Sequence, residues 1–511
     1  MSATQPTEYP LKAPAVLVET SNGDASSSLS LEKWIPMVHQ DCTFPPEIFY
    51  RVMGNFIKNP NINTSWLFRA DIKADQSQGP FPSSLVASDG EASPPALSRL
   101  PQFESYTLTR LLVRNLVPRN TLRDNPMDQT CLFYTKTDST GCVWSLIVYI
   151  PHSTSADMPF YHPNLRALAH LHQWSPESAQ GSVSVHYVFW EEAHREDIKL
   201  GRTALRLLGE LHKHGKGQAA GYKKRVHHDL VVPQKKSQTR YAKLKMKYAS
   251  QLVNNWVETT DPTKHVFEDL GISAFLIELW HEMYIDKGVP FPGFVDIGCG
   301  NGLLVYILRQ EGFHGWGFDA RSRRSWEAFK EPAPSNGQEE PLQTKVLLPA
   351  IVSDMSESSK AVSDLLHNGV FPKGTFIVSN HADELTPWTP IIATYSDCPF
   401  IAIPCCSHNL AGDRFRAIPP RDKAKGHSSY ACLVDWVARI GEDCGFKMET
   451  EMLRIPSTRN TCLLGRIRTQ SIEEVDLGQI ISKFGGCGGY FENVIKLTKD
   501  ESKEGNDSHG S

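Results

Sequence analysis

The chain has 511 residues, of which 40% are hydrophobic, and 53 Lys and Arg face 57 Asp and Glu for a formal charge of −4. That length suits two or three domains with an ample core, and the composition is that of an ordinary soluble globular protein. The first residues lack a basic region followed by an apolar core, and the strongest uncharged apolar runs, Cys142 to Pro151 and Cys398 to Cys406, are too short to span a bilayer. Neither secretion nor membrane insertion is expected.

Eleven cysteines, odd in number and scattered, argue against a disulfide framework and for free thiols in a reducing compartment, with the cytoplasm expected. The small net charge hides an asymmetry. Between Lys213 and Lys247 eleven basic residues face the single acid Asp229, a local +10 that leaves −14 on the rest of the chain.

Residues 1–30 are rich in Ser, Thr and Pro and read as disordered. Residues 31–73 carry apolar clusters around Trp34, Phe44, Phe49, Phe56 and Trp66 and read as a leading packed element. A Ser-, Gly- and Pro-rich linker over 74–101 is expected to separate it from an α+β domain over 102–212. In that domain Cys131–Thr135 and Cys142–Ile150 predict a hairpin, Ser182–Trp190 alternates as a third strand, and Ile198–Leu211 is helical. Arg110, Arg114 and Arg119 either meet phosphate or are solvated.

Residues 213–261 form a basic segment and a helix, predicted over Thr239–Trp256 with Tyr241, Leu244, Tyr248, Leu252 and Trp256 along one face. Lys223, Lys224, Arg225, Lys235, Lys236 and Arg240 make a field attractive to a phosphate backbone, so RNA contact is expected there. Asp261 and Pro262 then start another helix, with Val266, Leu270, Ala274 and Ile277 facing a sheet.

An apolar strand from about Phe291 runs into Asp296-x-Gly298-x-Gly300-x-Gly302, followed by Leu303, Leu304, Ile307 and Leu308 at helical spacing. The glycines permit a sharp turn and close approach of a ligand, and the following helix offers unpaired N–H groups. Asp319 closes the next predicted strand, where a carboxylate can accept both ribose hydroxyls of an adenosyl group. The dinucleotide fingerprint would need a third glycine at position 303, which is Leu303, so NAD is disfavoured. Asp296 would repel a pyrophosphate but suits the ammonium and sulfonium charges of S-adenosylmethionine.

Further strands are predicted at Val346–Val352, despite Pro349, then at Thr375–Ser379, Phe400–Pro404 and Leu463–Ile467. Asp354 follows the first of these and can accept from the adenine amino group. Residues 262–470 thus read as a doubly wound methyltransferase domain, and 471–511 as an extension disordered at its end. Cys405, Cys406 and His408 lack a second Cys pair, so buried thiols and no metal are expected.

The run from His228 to Trp280, with HisAspLeuValValProGln, ThrAspProThrLysHisValPheGluAspLeuGlyIle and LeuIleGluLeuTrp, resembles the tRNA(Ser) (uracil-2′-O-)-methyltransferases. So do the glycine loop and AsnHisAlaAspGluLeuThrProTrp over 380–388. The resemblance covers roughly residues 105–470. It implies a class I, S-adenosylmethionine-dependent enzyme, Rossmann-like and α/β, that methylates the ribose of uridine 44. The partner implied is tRNA.

A ribose 2′-hydroxyl is a poor nucleophile at neutral pH, and a base within hydrogen-bond reach helps by taking its proton. Asp383, then His381, then Glu384 are the candidates, because a strand delivers them to the end of the sheet where ligands bind. The rival readings are a methyltransferase acting on a base, a protein or a small molecule, and an RNA-binding protein with a vestigial cofactor pocket.

Overall fold

The computed structural model describes residues 7–8, 33–77, 81, 100–120, 123–222, 228–330, 340–353, 365–422, 426 and 428–496. The chain divides into two compact units, residues 1–223 and 224–511. Among the described residues no helix is long and apolar enough to cross a membrane.

The first unit is one antiparallel sheet with helices on one face. Its strands are β1 (Thr7–Glu8), β2 (Ile35–Cys42), β3 (Leu67–Gln76), β4 (Thr107–Pro118), β5 (Met127–Thr137), β6 (Val143–Pro151), β7 (Ala167–Ser175) and β8 (Gln180–Val188), in the order β1-β2-β8-β7-β6-β5-β4-β3. Helix α1 (Pro46–Lys58) buries Phe49, Val52, Met53, Phe56 and Ile57, a stripe at helical spacing, and Pro46 sits in its first turn where no N–H is missed. Helix α2 (Ile198–Ala219) is capped by the Asp197 side chain and buries Leu200, Ala204, Leu207, Leu208 and Leu211 in the same core. Trp34, Phe103, Leu111, Leu132 and Leu146 build a second core.

This sheet corrects three expectations. Residues 31–73 are not a separate element, because β2 pairs with β8 and β3 with β4, so the supposed linker is a connection between neighbouring strands and begins only after Gln76. Thr7 and Glu8 pair with His39 and Val38, so the first 30 residues are not wholly unstructured. The β7 strand went unseen because His170 and His172 break its apolar reading, although both are buried. Arg114 is also buried, and its guanidinium donates to Gln129 and to the carbonyls of Phe56 and Ile57 at the end of α1. It completes a helix terminus and is not placed to meet phosphate. Arg110 pairs with Asp75 at 2.5 Å.

The second unit is a seven-stranded sheet with helices on both faces. Helices α3 (Gln234–Asn254) and α4 (Pro262–Met283) precede β9 (Phe294–Ile297), α5 (Leu303–Gln310), β10 (Gly315–Asp319), α6 (Arg324–Ala328), β11 (Leu342–Thr344), β12 (Val346–Leu347), α7 (Ala350–Ser353) and β13 (Leu366–His367). Then come β14 (Phe376–Asn380), α8 (Thr389–Tyr395), β15 (Phe400–Ile403), α9 (Ser429–Asp443), β16 (Glu449–Met452), β17 (Thr461–Gly465) and α10 (Leu477–Lys483). The sheet order is β11-β10-β9-β14-β15-β17-β16, parallel except that β17 is antiparallel to both its neighbours.

Alternate residues of each central strand feed opposite cores. Phe294, Phe376, Val378 and Ile401 join α3, α4 and α5 on one face, while Val295, Ile297, Ile377 and Phe400 join α8 and α9 on the other. The expected strand over Val346–Val352 stops at Leu347, and Ala350 starts α7, because Pro349 cannot donate to a ladder. β12 pairs with β13 in a separate two-stranded sheet. The expected helix over Thr239–Trp256 begins earlier, after Pro233, and ends at Asn254.

The expected extension over 471–511 is, as far as residue 496, part of the second unit's core, while the end expected to be disordered lies outside the described residues. Ile480, Ile481, Tyr490 and Val494 are buried in the core of the α8–α9 face, Tyr490 packs on Trp388 at 5.1 Å, and its hydroxyl donates to the Leu347 carbonyl. Truncation after Gln470 is therefore expected to expose this apolar surface and give aggregated or protease-sensitive protein. Limited proteolysis checks this, and a truncated chain as resistant as the full one would contradict it.

Candidate active site

The site forms where β9, β10 and β14 end. Gly298, Gly300 and Gly302 all take positive φ, at +71°, +52° and +73°, which only glycine adopts without strain. A Cβ on Gly302 would sit 2.6 Å from the Leu342 side chain, and one on Gly298 would sit 3.0 Å from the Ala382 Cβ. The loop after β9 and the turn after β14 thus approach through a missing side chain. The N–H groups of Gly298 and Cys299 donate to the Phe318 carbonyl at 2.8 and 2.9 Å, tying the loop to β10.

Asp319 is held from two sides. Its Oδ2 accepts from the Gly300 N–H at 2.9 Å and its Oδ1 from the Arg321 N–H at 3.2 Å. The carboxylate is fixed at the end of β10, with lone pairs left for the hydroxyls of a ligand. Trp326 braces the loop by donating its indole N–H to the Gly300 carbonyl at 2.9 Å.

Asp296 is 1% exposed, and its Oδ1 has no hydrogen-bond partner. Burial, with the charges of Asp269 and Asp319 beside it, holds its carboxyl well above the usual carboxylate range. Asp269 on α4 is buried as well, and burial with neighbouring Glu268 raises it to about 8. These acids are short of positive charge, and a ligand bearing an ammonium or sulfonium group would supply it. The orphaned Asp296 oxygen, the clamped Asp319 and the glycine cradle fit S-adenosylmethionine.

The turn after β14 carries the expected acid–base residues. His381 and Asp383 are non-glycine residues at positive φ, +53° and +41°, a strained arrangement. His381 Nε2 lies 3.0 Å from Glu268 Oε1, and its Nδ1 is buried without a partner. Asp383 Oδ1 accepts from the Cys405 thiol at 2.9 Å. Glu384 is raised by burial, and the Asp383 charge adds to that. A cavity of about 660 Å³ is lined by Gly298, Asp319, Leu347, His381, Asp383, Glu384 and Tyr490, with Arg321, Arg323, Lys345, Arg414 and Lys496 around it. That volume is in the range of small-molecule sites.

The fold gathers Asp296, Gly298, Gly300, Gly302, Asp319, His381, Asp383 and Glu384 at one end of the sheet, while Asp354 lies outside the described residues. So do Lys223, Lys224 and Arg225. Lys235 and Lys236 are exposed on α3, Lys236 pairs with Asp286 at 3.7 Å and Arg240 with Glu278 at 2.7 Å, so part of the expected RNA field is already matched by acids of the same unit. Sequence reasoning treated α4 as packing alone and missed Glu268 and Asp269. Two adjacent acids inside an otherwise apolar helix run were the signal.

Two family models match the chain. A TRM44-like, N-terminal bet v1-like domain covers residues 9–225, and a predicted AdoMet-dependent methyltransferase covers 231–349. The chain is 53% identical to a tRNA (uracil-O(2)-)-methyltransferase of Neurospora crassa over 97% of each chain. It is 37% identical to the Schizosaccharomyces pombe protein of the same name, over 92% of this chain and 94% of that one, and 34% identical to the Yarrowia lipolytica one, over 91% and 96%. With a methyltransferase model matched across its glycine loop and such relatives spanning both units, the chain belongs to the family of S-adenosylmethionine-dependent tRNA (uracil-O(2)-)-methyltransferases.

Proposed function

We propose that the second unit is a class I, Rossmann-like methyltransferase that forms 2′-O-methyluridine at position 44 of tRNA(Ser), acting in the cytoplasm. The observation that carries this reading is the single cavity that brings the glycine loop and Asp319 together with His381 and Asp383. Bound there, S-adenosylmethionine supplies an electrophilic methyl group. Asp296, Gly298, Gly300, Gly302 and Asp319 would hold it. The strand order, with β17 reversed between β15 and β16, supports the fold assignment.

Methyl transfer to a hydroxyl is a displacement in which positioning supplies much of the rate. Among the three candidates the geometry favours His381 as base. Glu268 fixes its ring through Nε2, leaving Nδ1 buried and unpaired beside the cavity. Asp383 already accepts a thiol hydrogen bond. Exposed Arg321, Arg323 and Arg414 at the cavity rim supply positive charge for the tRNA backbone, to which Lys235, Lys236 and Arg240 on α3 add only what their partners leave.

Purified protein with S-adenosylmethionine and unmodified tRNA(Ser), digested to nucleosides and read by mass spectrometry, is expected to give 2′-O-methyluridine. No product despite cofactor binding would overturn the substrate. His381→Ala is expected to lower kcat by about 10²–10⁴ while sparing cofactor affinity, and Glu268→Gln to displace the pH–rate profile. A His381→Ala enzyme with undiminished kcat would remove His381 as base.

A further inference from the structure

We propose that Asp383, Cys405 and Cys406 bind one thiophilic divalent cation, with zinc the best match to their donor atoms. Two thiolates and a carboxylate are a soft, mixed set that selects zinc over magnesium or calcium. Sequence spacing alone argued against a metal because it offered only one Cys pair. The fold adds the third donor from a different strand end.

One ligand atom from each of the three residues lies within 4.8 Å of the others, and the Cys405 thiol touches Asp383 Oδ1 at 2.9 Å. Side chains of adjacent residues in a strand point to opposite faces. Here β15 ends at Ile403 and the chain bends at Cys406, so both thiols turn toward Asp383. Asp383 holds a positive φ of +41° in the facing turn. The same segment is short of partners, since Ser407 Oγ and His408 Nδ1 are buried without any. Asp383 is exposed and the two cysteines are half-buried, which leaves a path for a cation to enter.

Binding replaces protons with metal. Each thiol releases its proton to solvent, two in all, and the carboxylate binds as it stands. Three protein ligands leave a fourth position for water or a hydroxyl, the arrangement of a zinc site that can act as a Lewis acid. Any use of that position on a ribose hydroxyl rests on the reaction proposed above, but cation binding does not.

Full-length protein titrated with Co²⁺ is the test. One equivalent is expected to raise a near-ultraviolet thiolate-to-cobalt band that Zn²⁺ displaces. Cys405→Ser and Cys406→Ser should each lose it while still binding S-adenosylmethionine, and Asp383→Asn should weaken Co²⁺ at least about tenfold. A second reading needs no variant. Zn²⁺ should protect Cys405 and Cys406 of the natural chain from alkylation, mapped by peptide mass spectrometry, and leave Cys142 and Cys487 as reactive as before. Absence of the band, a band that survives in both serine variants, or unprotected Cys405 and Cys406 each overturns the site.

Discussion

Asp296→Asn is expected to raise the melting temperature near neutral pH while weakening S-adenosylmethionine binding by about tenfold or more, the loss of one hydrogen bond to a charged group. Both effects come from one buried oxygen. Asp296 sits in the fold with a pKa raised above its ordinary 3.8, so folding takes up a proton that the unfolded chain gives away. Its contribution is therefore most favourable below 3.8 and is lost as pH rises toward the raised value. Asn is uncharged at every pH and escapes that loss, so variant and natural protein should melt alike in acid and diverge as pH rises. Each kcal/mol recovered is worth about 2–4 °C in a large domain. Calorimetric melts at two pH values, with a cofactor titration, decide it. Equal melting and equal affinity would make Asp296 an ordinary strand residue.

Glu451→Ala is expected to cost about 1–3 kcal/mol of stability or more, since the buried Val232 donor left unsatisfied costs about that much and the half-buried Asp229 and Val231 donors add to it. Glu451, on β16, is 4% exposed and accepts from the N–H groups of Asp229, Val231 and Val232 at 2.6, 2.7 and 3.3 Å. Arg454 grips the Asp229 carboxylate from the same strand end, and His228 bonds the Met452 carbonyl. HisAspLeuValValProGln is thus a clasp that fastens the start of the second unit to its last sheet edge. Glu451→Gln keeps one acceptor oxygen and should lose less. Chemical unfolding measures both, and an alanine variant as stable as the natural chain would show that water replaces the carboxylate.

The parallel core of the second unit was legible because its strands and helices are continuous in sequence, from Phe294 through Asp319 and again at Phe376–Asn380. The glycine loop was legible because backbone geometry leaves a mark in residue type. What stayed hidden depends on contacts between distant segments. Nothing local to Ile35–Cys42 says that it pairs with a strand near residue 185, and nothing local to Tyr490 says that it packs on Trp388. Glu268 was hidden for a related reason. Its partner His381 is 113 residues away, and an acid in a helix is ordinary until its burial is known.

The C-terminal wall of the cavity sets an order of events during synthesis. The glycine loop leaves the ribosome early, yet 188 residues separate Gly302 from Tyr490. At about 5–20 residues per second, roughly 10–40 s pass before Tyr490, Asn493 and Val494 exist to close the pocket. Trp388 and the α8–α9 face, made later within that interval, stay without cover from the chain's own end until it closes. A nascent chain can own every glycine of this loop and still lack the finished cavity beside it. Chaperone capture, a ribosomal pause or a late nonsense codon would all act on this one unfinished surface.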